Sequence, residues 1–281
     1  LGMNLTMTVS ATERAIGILD SGVGGLTVAR EVMRQLPRET IYYVGDTKRC
    51  PYGPRSTEEV RRYTLEIVEF LMAHPLKAIL IACNTATAAA LQAVREQVPI
   101  PVLGVIDPGA RAAIKATQNH IVGVIGTQGT VESGAYEKAL RRIHPRLTVH
   151  SLACPAFVPL VESGYRHTPL ADQIVHDTLQ PLKKTDLDTL ILGCTHYPLL
   201  ADAVKKTMGP DVNIISSAEE TAAELSTILQ HKELLTHLKV PRHRFFTTGD
   251  AAPFAQIAED WFGYPVEVEQ IVIKTSESPL G

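Results

Sequence analysis

Ile16-Gly-Ile-Leu-Asp-Ser21 and Val122-Gly-Val-Ile-Gly-Thr127 decide the fold, because the second run repeats the first further along the chain. Downstream of each comes a Cys-Pro pair, Cys50-Pro51 and then Cys154-Pro155. Beyond these, Ile79-Leu-Ile-Ala-Cys83-Asn-Thr85 is answered by Leu190-Ile-Leu-Gly-Cys194-Thr-His196. The interval from Asp20 to Cys83 is within a few residues of that from Gly126 to Cys194. Each half therefore brings one cysteine to the C-terminal end of an apolar run and follows it with small hydroxyl or amide residues. An internal repeat of this length predicts two copies of one architecture.

Outward from the repeat, short Val/Ile/Leu-rich runs alternate with longer amphipathic ones. That is the pattern of βα units around a parallel sheet covered on both faces. Strands are predicted at Ala15–Leu19, Ile41–Val44, Ala78–Ala82, Val102–Val105, Ile121–Ile125, Thr148–Leu152, Thr189–Leu192 and Asn213–Ile215. A weaker pair, Arg244–Thr248 and Val266–Val268, closes the chain. Ser56-Thr-Glu-Glu59 reads as a capping box ahead of Val60, Tyr63, Ile67 and Phe70-Leu71 at helical spacing. Val28, Val32 and Leu36 mark another helix, stopped by Pro37, and 219–229 a third. The expected fold class is α/β, with two similar doubly wound, mainly parallel-sheet domains facing across a shared active-site cleft. Residues 1–13 and 274–281 show no period and are expected to be flexible tails.

The 281 residues include 27 basic and 30 acidic side chains, a formal charge of −3, with 45% hydrophobic and 20% charged residues. This is a globular composition, and its mild acidity argues against direct binding of nucleic acid. No apolar run reaches the roughly 18 residues that a membrane span needs. No apolar segment follows the first basic residue, Arg14, as a secretory signal requires. The four cysteines, at 50, 83, 154 and 194, lack Cys-x-x-Cys pairing, which excludes zinc-ribbon and thioredoxin-type motifs. They are too few for a disulfide scaffold and read as reduced thiols of a cytoplasmic protein.

Ligands of parallel α/β sheets bind outside the carboxyl ends of the strands, so Cys83 and Cys194 are placed to face one another across a cleft. Two opposed thiols suit the transfer of a proton from one face of a carbon to the other, one accepting as thiolate while the other donates as thiol. A free cysteine, with pKa about 8.5, is only a few per cent thiolate at neutral pH, so neighbours must poise the pair. His196 is a candidate for tuning Cys194, and Asp20 for partnering Cys83. Glu162, in Val158-Pro-Leu-Val-Glu-Ser-Gly164, reads either as a second acid–base support or as a solvated charge. Asp20-Ser-Gly-Val-Gly-Gly25, between a strand and a helix, offers backbone N–H groups to an anion such as a substrate carboxylate. It is not a dinucleotide fingerprint, since Thr27 stands where the third glycine is needed. Cys50-Pro-Tyr-Gly-Pro-Arg-Ser56 reads as a rigid loop lining the cleft. These residues alone leave open glutamate or aspartate, racemisation or a related thiol-dependent decarboxylation, and binding without catalysis.

Together, Gly17-Ile-Leu-Asp-Ser-Gly-Val-Gly-Gly-Leu26, Cys50-Pro-Tyr-Gly53, Ala82-Cys-Asn-Thr85, Gly126-Thr-Gln-Gly-Thr130 and Gly193-Cys-Thr-His-Tyr-Pro198 resemble the glutamate racemases. These belong to the cofactor-independent aspartate/glutamate racemase superfamily, and the resemblance runs from Ala15 to Val272. It implies a bacterial cytoplasmic enzyme that interconverts L- and D-glutamate without pyridoxal phosphate or metal, feeding peptidoglycan synthesis and so cell shape. It further implies Cys83 as the base toward the D enantiomer and Cys194 as the base toward the L, with Asp20, Glu162 and His196 assisting. Ser21, Tyr52, Gly53, Asn84, Thr85, Thr127, Thr130 and Thr195, with Asp20 and His196, match positions that hold the substrate. The second domain is implied to be inserted in the first, giving 14–107 plus 217–273 and 108–216. The implied associations are a small-molecule substrate and a homodimer, with no direct nucleic-acid partner and no membrane.

Overall fold

The computed structural model describes residues 9–274. The chain begins with β1 (Ala15–Asp20), α1 (Leu26–Gln35), β2 (Ile41–Gly45), α2 (Thr57–Met72), β3 (Leu76–Ile81), α3 (Asn84–Gln97) and β4 (Val102–Gly104). It continues through α4 (Ile106–Ala116), β5 (Ile121–Gly126), α5 (Gln128–Glu132), α6 (Ala135–Ile143), β6 (Thr148–Ala153) and α7 (Phe157–Glu162). Next come α8 (Pro169–Lys183), β7 (Thr189–Gly193), α9 (Ala201–Met208) and β8 (Asn213–Ser216). It closes with α10 (Ser217–His231), β9 (Arg244–Thr247), α11 (Ala251–Phe262) and β10 (Val268–Gln270).

Two sheets result, in the orders β10-β9-β2-β1-β3-β4 and β6-β5-β7-β8. Every strand pair described is parallel. The repeat is visible in the strand order, since β1 lies between β2 and β3 as β5 lies between β6 and β7. The fold is two parallel-sheet α/β domains. β1, β3 and β7 are buried along their whole length, which is why Ile16–Leu19, Ile79–Ile81 and Leu190–Leu192 read as unbroken apolar runs rather than alternating ones. β9 and β10 return from late in the chain to extend the first sheet beside β2. Ser56 and Glu59 form the expected capping box at the start of α2, each side chain serving the other residue's backbone N–H. Among the described residues, no helix is long and apolar enough to cross a membrane.

Several strands run one residue further at the carboxyl end than expected, to Asp20, Gly45, Gly126, Ala153, Gly193 and Ser216. The parallel ladder continues through these residues, pairing Asp20 with Gly45 and Gly126 with both Ala153 and Gly193. β10 begins at Val268, where a strand at Val266–Val268 was expected, because its register is set by pairing with Phe245–Thr247. Of the expected tail 1–13, residues 9–13 are described. Ala11–Glu13 forms a 3-10 turn, and the Thr12 carbonyl accepts a 2.8 Å hydrogen bond from Lys77 Nζ. Residues 1–8 and 275–281 lie outside those described.

Lys77 is the one charged residue inside β3, and its burial has a visible cause. Its ammonium pairs with Glu39 and also donates to the Leu234 carbonyl at 2.8 Å, while Glu39 Oε1 accepts from the Thr236 amide at 2.8 Å. One buried ion pair thus joins the N-terminal segment, the start of β3 and the segment leading to β9. Removing one partner of such a pair strands the other charge and costs about 3–5 kcal/mol. Lys77→Met is expected to lower unfolding stability by that order in urea titration, and adding Glu39→Gln should restore part of the loss.

Candidate active site

Cys83 lies two residues past the end of β3 and is the N-cap of α3, its Sγ accepting from the Ala86 amide at 3.4 Å. Cys194 follows β7 in the equivalent place of the second domain. Both side chains are buried, at 6% and 7% exposure, and Cys83 feels the charge of Cys194. Cys83 also donates to Ser21 Oγ at 3.7 Å. Burial, and then the charge of Asp20, push the Cys83 thiol up to about 12, while the Ala86 N–H and Ser21 pull the other way. The first amides of a helix have no carbonyl a turn below them, so those of Asn84 and Thr85 lie beside Cys83 as ready donors to an anion.

On the other side, His196 links Cys194 to Glu162. Its Nδ1 lies 3.8 Å from Cys194 Sγ and its Nε2 lies 2.9 Å from Glu162 Oε1. Glu162 is therefore a partner of the buried imidazole rather than only a solvated charge. Burial pulls the imidazole down, but hydrogen bonds and charges from Cys194 and Glu162 prevail and raise it to about 10. At neutral pH the ring is an imidazolium, with one N–H for each partner.

Asp20 is fully buried at the end of β1, where burial drives its carboxyl up against the pull of His196. No hydrogen bond joins it to Cys83 among the described residues; its link to that thiol is electrostatic. The expected anion-binding turn at 20–25 is filled from within. The Gly22 amide donates to Asp20 Oδ2 at 3.0 Å, and the Gly25 amide serves the same carboxylate. Gly24 has a different reason to be glycine: a Cβ there would fall 2.3 Å from Thr195 Oγ1 and 2.5 Å from His196 Nδ1.

Hydroxyl groups line the rest of the site. Thr85, Thr127 and Thr130 form a ring of hydroxyls 2.8, 3.1 and 3.2 Å apart, joining α3 to the start of α5. Thr195 Oγ1 reaches Asp20 Oδ1 at 3.5 Å, and Asn84 Oδ1 accepts from the Tyr136 hydroxyl at 2.6 Å. Gly53 packs against Thr127, to which a Cβ would come within 2.8 Å. Tyr52 is buried with its hydroxyl committed to Asp46, so only its backbone is available to a ligand. All the residues expected at the site come together except that the Tyr52 hydroxyl points away from it. Two cavities, of about 610 and 390 Å³, open beside the site; Thr47, Cys50 and Glu162 line both, and neither Cys83 nor Cys194 lines either.

The sequence pattern of the Asp/Glu/hydantoin racemases matches residues 16–225. The chain belongs to this family. It is 55% identical over 265 residues to a glutamate racemase of Exiguobacterium sibiricum, covering 94% of this chain and 98% of that one. The crystal structure of glutamate racemase isoform RacE1 from Bacillus anthracis is similar at TM-score 0.92 and 57% identity, covering 94% of this chain and 100% of that one. The Francisella tularensis glutamate racemase, solved in complex with D-glutamate, is similar at TM-score 0.89 and 32% identity, covering 94% and 100%.

Sequence reasoning missed four contributors to this racemase-family site. Thr27 donates to the Thr195 carbonyl at 3.0 Å across the two domains. Trp261 of α11 stands edge-on to His196 at 6.4 Å between ring centroids. Tyr136 holds Asn84, and Asp46 holds Tyr52. Only Asp46 carried a usable signal, since it follows β2 at the same sheet end as Asp20 and Cys83.

His196 makes the site sensitive to pH in a defined direction. Its folded value is raised, so its contribution to stability is complete below its ordinary value of about 6.5 and is lost as pH rises through about 10. Proton NMR of the His196 ring is expected to show a midpoint near 10 in the native protein. Glu162→Gln should move that midpoint down; an unchanged midpoint would show that Glu162 does not hold the charge.

Proposed function

We propose that this chain is a glutamate racemase that interconverts L- and D-glutamate by two-base proton transfer at Cα. The observation that carries the reading is the placement of Cys83 and Cys194, two buried thiols at equivalent strand ends of two repeated domains. Cys194, beside the His196 imidazolium, takes the α-proton from L-glutamate as thiolate. Cys83, whose thiol holds its proton up to about 12, delivers a proton to the opposite face and yields the D enantiomer. In the reverse direction Cys83 is the base, with Asp20 and Ser21 beside it and the α3 amides stabilising its charge. Negative charge that builds on the substrate carboxylate in the transition state meets the Thr85, Thr127, Thr130 and Thr195 hydroxyls and the amides of Asn84 and Thr85. Ser21 and Asn84 complete the polar lining, with the backbone of Tyr52 and Gly53.

Neither pyridoxal phosphate nor metal enters this mechanism, because the thiols and their neighbours supply both proton-transfer roles. The domain division of this reading is 14–107 plus 217–273 and 108–216, and the assembly a homodimer. The physiological role is supply of D-glutamate for peptidoglycan synthesis in a bacterial cytoplasm. Relatives named as glutamate racemases, 55% and 58% identical over nearly the whole chain, support the choice of glutamate over aspartate.

The test is incubation with L- or D-glutamate in D₂O without added cofactor, with aspartate as control. Circular dichroism should show both enantiomers converging to the racemate, and proton NMR should show the Cα hydrogen replaced by deuterium. Glutamate binding with neither change would point instead to a binding protein. Cys83→Ser and Cys194→Ser are each expected to lower the rate by about 10²–10⁴-fold, the usual contribution of a positioned acid or base. Normal turnover by either variant would end the two-base assignment.

A further inference from the structure

The segment between β2 and α2 carries Cys50, Tyr52 and Gly53 to the site, and a single buried carboxylate gathers it. Asp46, the residue after β2, is fully buried. Its Oδ2 accepts from the Tyr52 hydroxyl and from Arg49 Nε at 2.7 Å, and its Oδ1 accepts from Thr248 Oγ1 at 2.7 Å. Arg49 extends the network to Glu66 of α2, with its guanidinium 4.1 Å over the Tyr63 ring. Thr248 Oγ1 accepts in turn from the Lys48 amide at 3.1 Å, and Thr47 Oγ1 accepts from the Gly249 amide at 3.0 Å. The loop is thereby fastened at both ends, to α2 and to the segment after β9.

We propose that Asp46 is a positioning residue for the substrate, fixing the Cys50–Gly53 loop through the Tyr52 hydroxyl and Arg49; the proposal rests on the racemase reading above. The clearances make this hold necessary. Cys50 Sγ lies 3.2 Å from where a Cβ of Gly22 would sit, and Gly53 has no room for a side chain against Thr127. A loop shift of about 1 Å would therefore collide with one wall or open a gap at the other, and the backbone groups that the loop offers to a ligand would move with it. A carboxylate suits the position because it is acceptor-only and meets three donors at once. An amide at that position would turn N–H groups toward the Arg49 guanidinium or the Tyr52 hydroxyl. Asp46 acts on substrate binding and touches neither thiol, so its loss should weaken binding more than the proton transfer itself.

Enantiomers have equal free energy, so kcat/KM must be the same in both directions for every variant. The discriminating quantity is the split between kcat and KM. Asp46→Asn is expected to raise KM for both enantiomers by about tenfold or more, with kcat changed by less than about threefold, as for loss of uniform binding. The calorimetric Kd for D-glutamate should rise in parallel. Tyr52→Phe, which keeps the ring, should shift KM and Kd the same way by a smaller factor. The double variant should be no worse than Asp46→Asn, because carboxylate and hydroxyl are two ends of one bond. Unchanged KM and Kd in Asp46→Asn, or additive losses in the double variant, would overturn the proposal. Should Asp46→Asn fail to fold, Tyr52→Phe and Thr248→Val decide it, and unchanged Kd in both is the overturning result. Native protein that binds glutamate without turnover would defeat the racemase reading instead, while the Kd comparison still judges Asp46.

Discussion

The contact on which the site depends is the approach of Gly24 to Thr195 and His196, where there is no space for a single methyl group. Here the turn after β1 meets the turn after β7, and the two repeated domains become one active centre. Thr27, in the first turn of α1, reinforces the contact by donating to the Thr195 carbonyl. Thr195 in turn reaches Asp20. Each turn occupies the carboxyl end of a parallel sheet, where strand geometry exposes unpaired backbone and points side chains outward. Two such ends placed face to face bring Cys83 and Cys194 together without any long loop to carry them.

Burial sets the chemistry of the pair, and charge makes the two thiols unlike. Both sit at similar depth, yet Cys194 has an imidazolium for a neighbour and Cys83 has the Asp20 carboxyl. Glu162, half in solvent at the mouth of the site, holds the imidazolium from outside.

Buried carboxylates elsewhere act as fasteners. Glu39 with Lys77 ties four separated segments at the amino-terminal end of the first sheet, and Asp46 with Arg49, Tyr52 and Thr248 ties the loop after β2 to the segment after β9 at the carboxyl end. In both cases the segment around β9 supplies one of the partners. The return of the chain to the first sheet thus braces the loop between β2 and α2, which lies some two hundred positions earlier in the sequence.

Much of the molecule was legible in the sequence because parallel strands covered on both faces must be apolar at every position, not at alternate ones. Ile16–Leu19, Ile79–Ile81 and Leu190–Leu192 announce themselves as strands, and the residues after them announce the site. The repeat then pairs Cys83 with Cys194 by their positions in the chain. The turn at 20–25 shows where such reading stops. Its glycines suggested an anion cradle, but the amides of Gly22 and Gly25 serve Asp20, and Gly24 is small to admit the other domain. Strands, repeat and thiols follow from local apolar pattern and spacing, and the sequence alone determined them. Which polar groups meet, whether Thr27 with Thr195, Tyr136 with Asn84, or Asp46 with Thr248, only the tertiary structure decided. The physical reason is that a hydrogen bond between residues far apart in the chain leaves no periodicity behind. Its partners become neighbours only when both sheets and the interface between them are already in place.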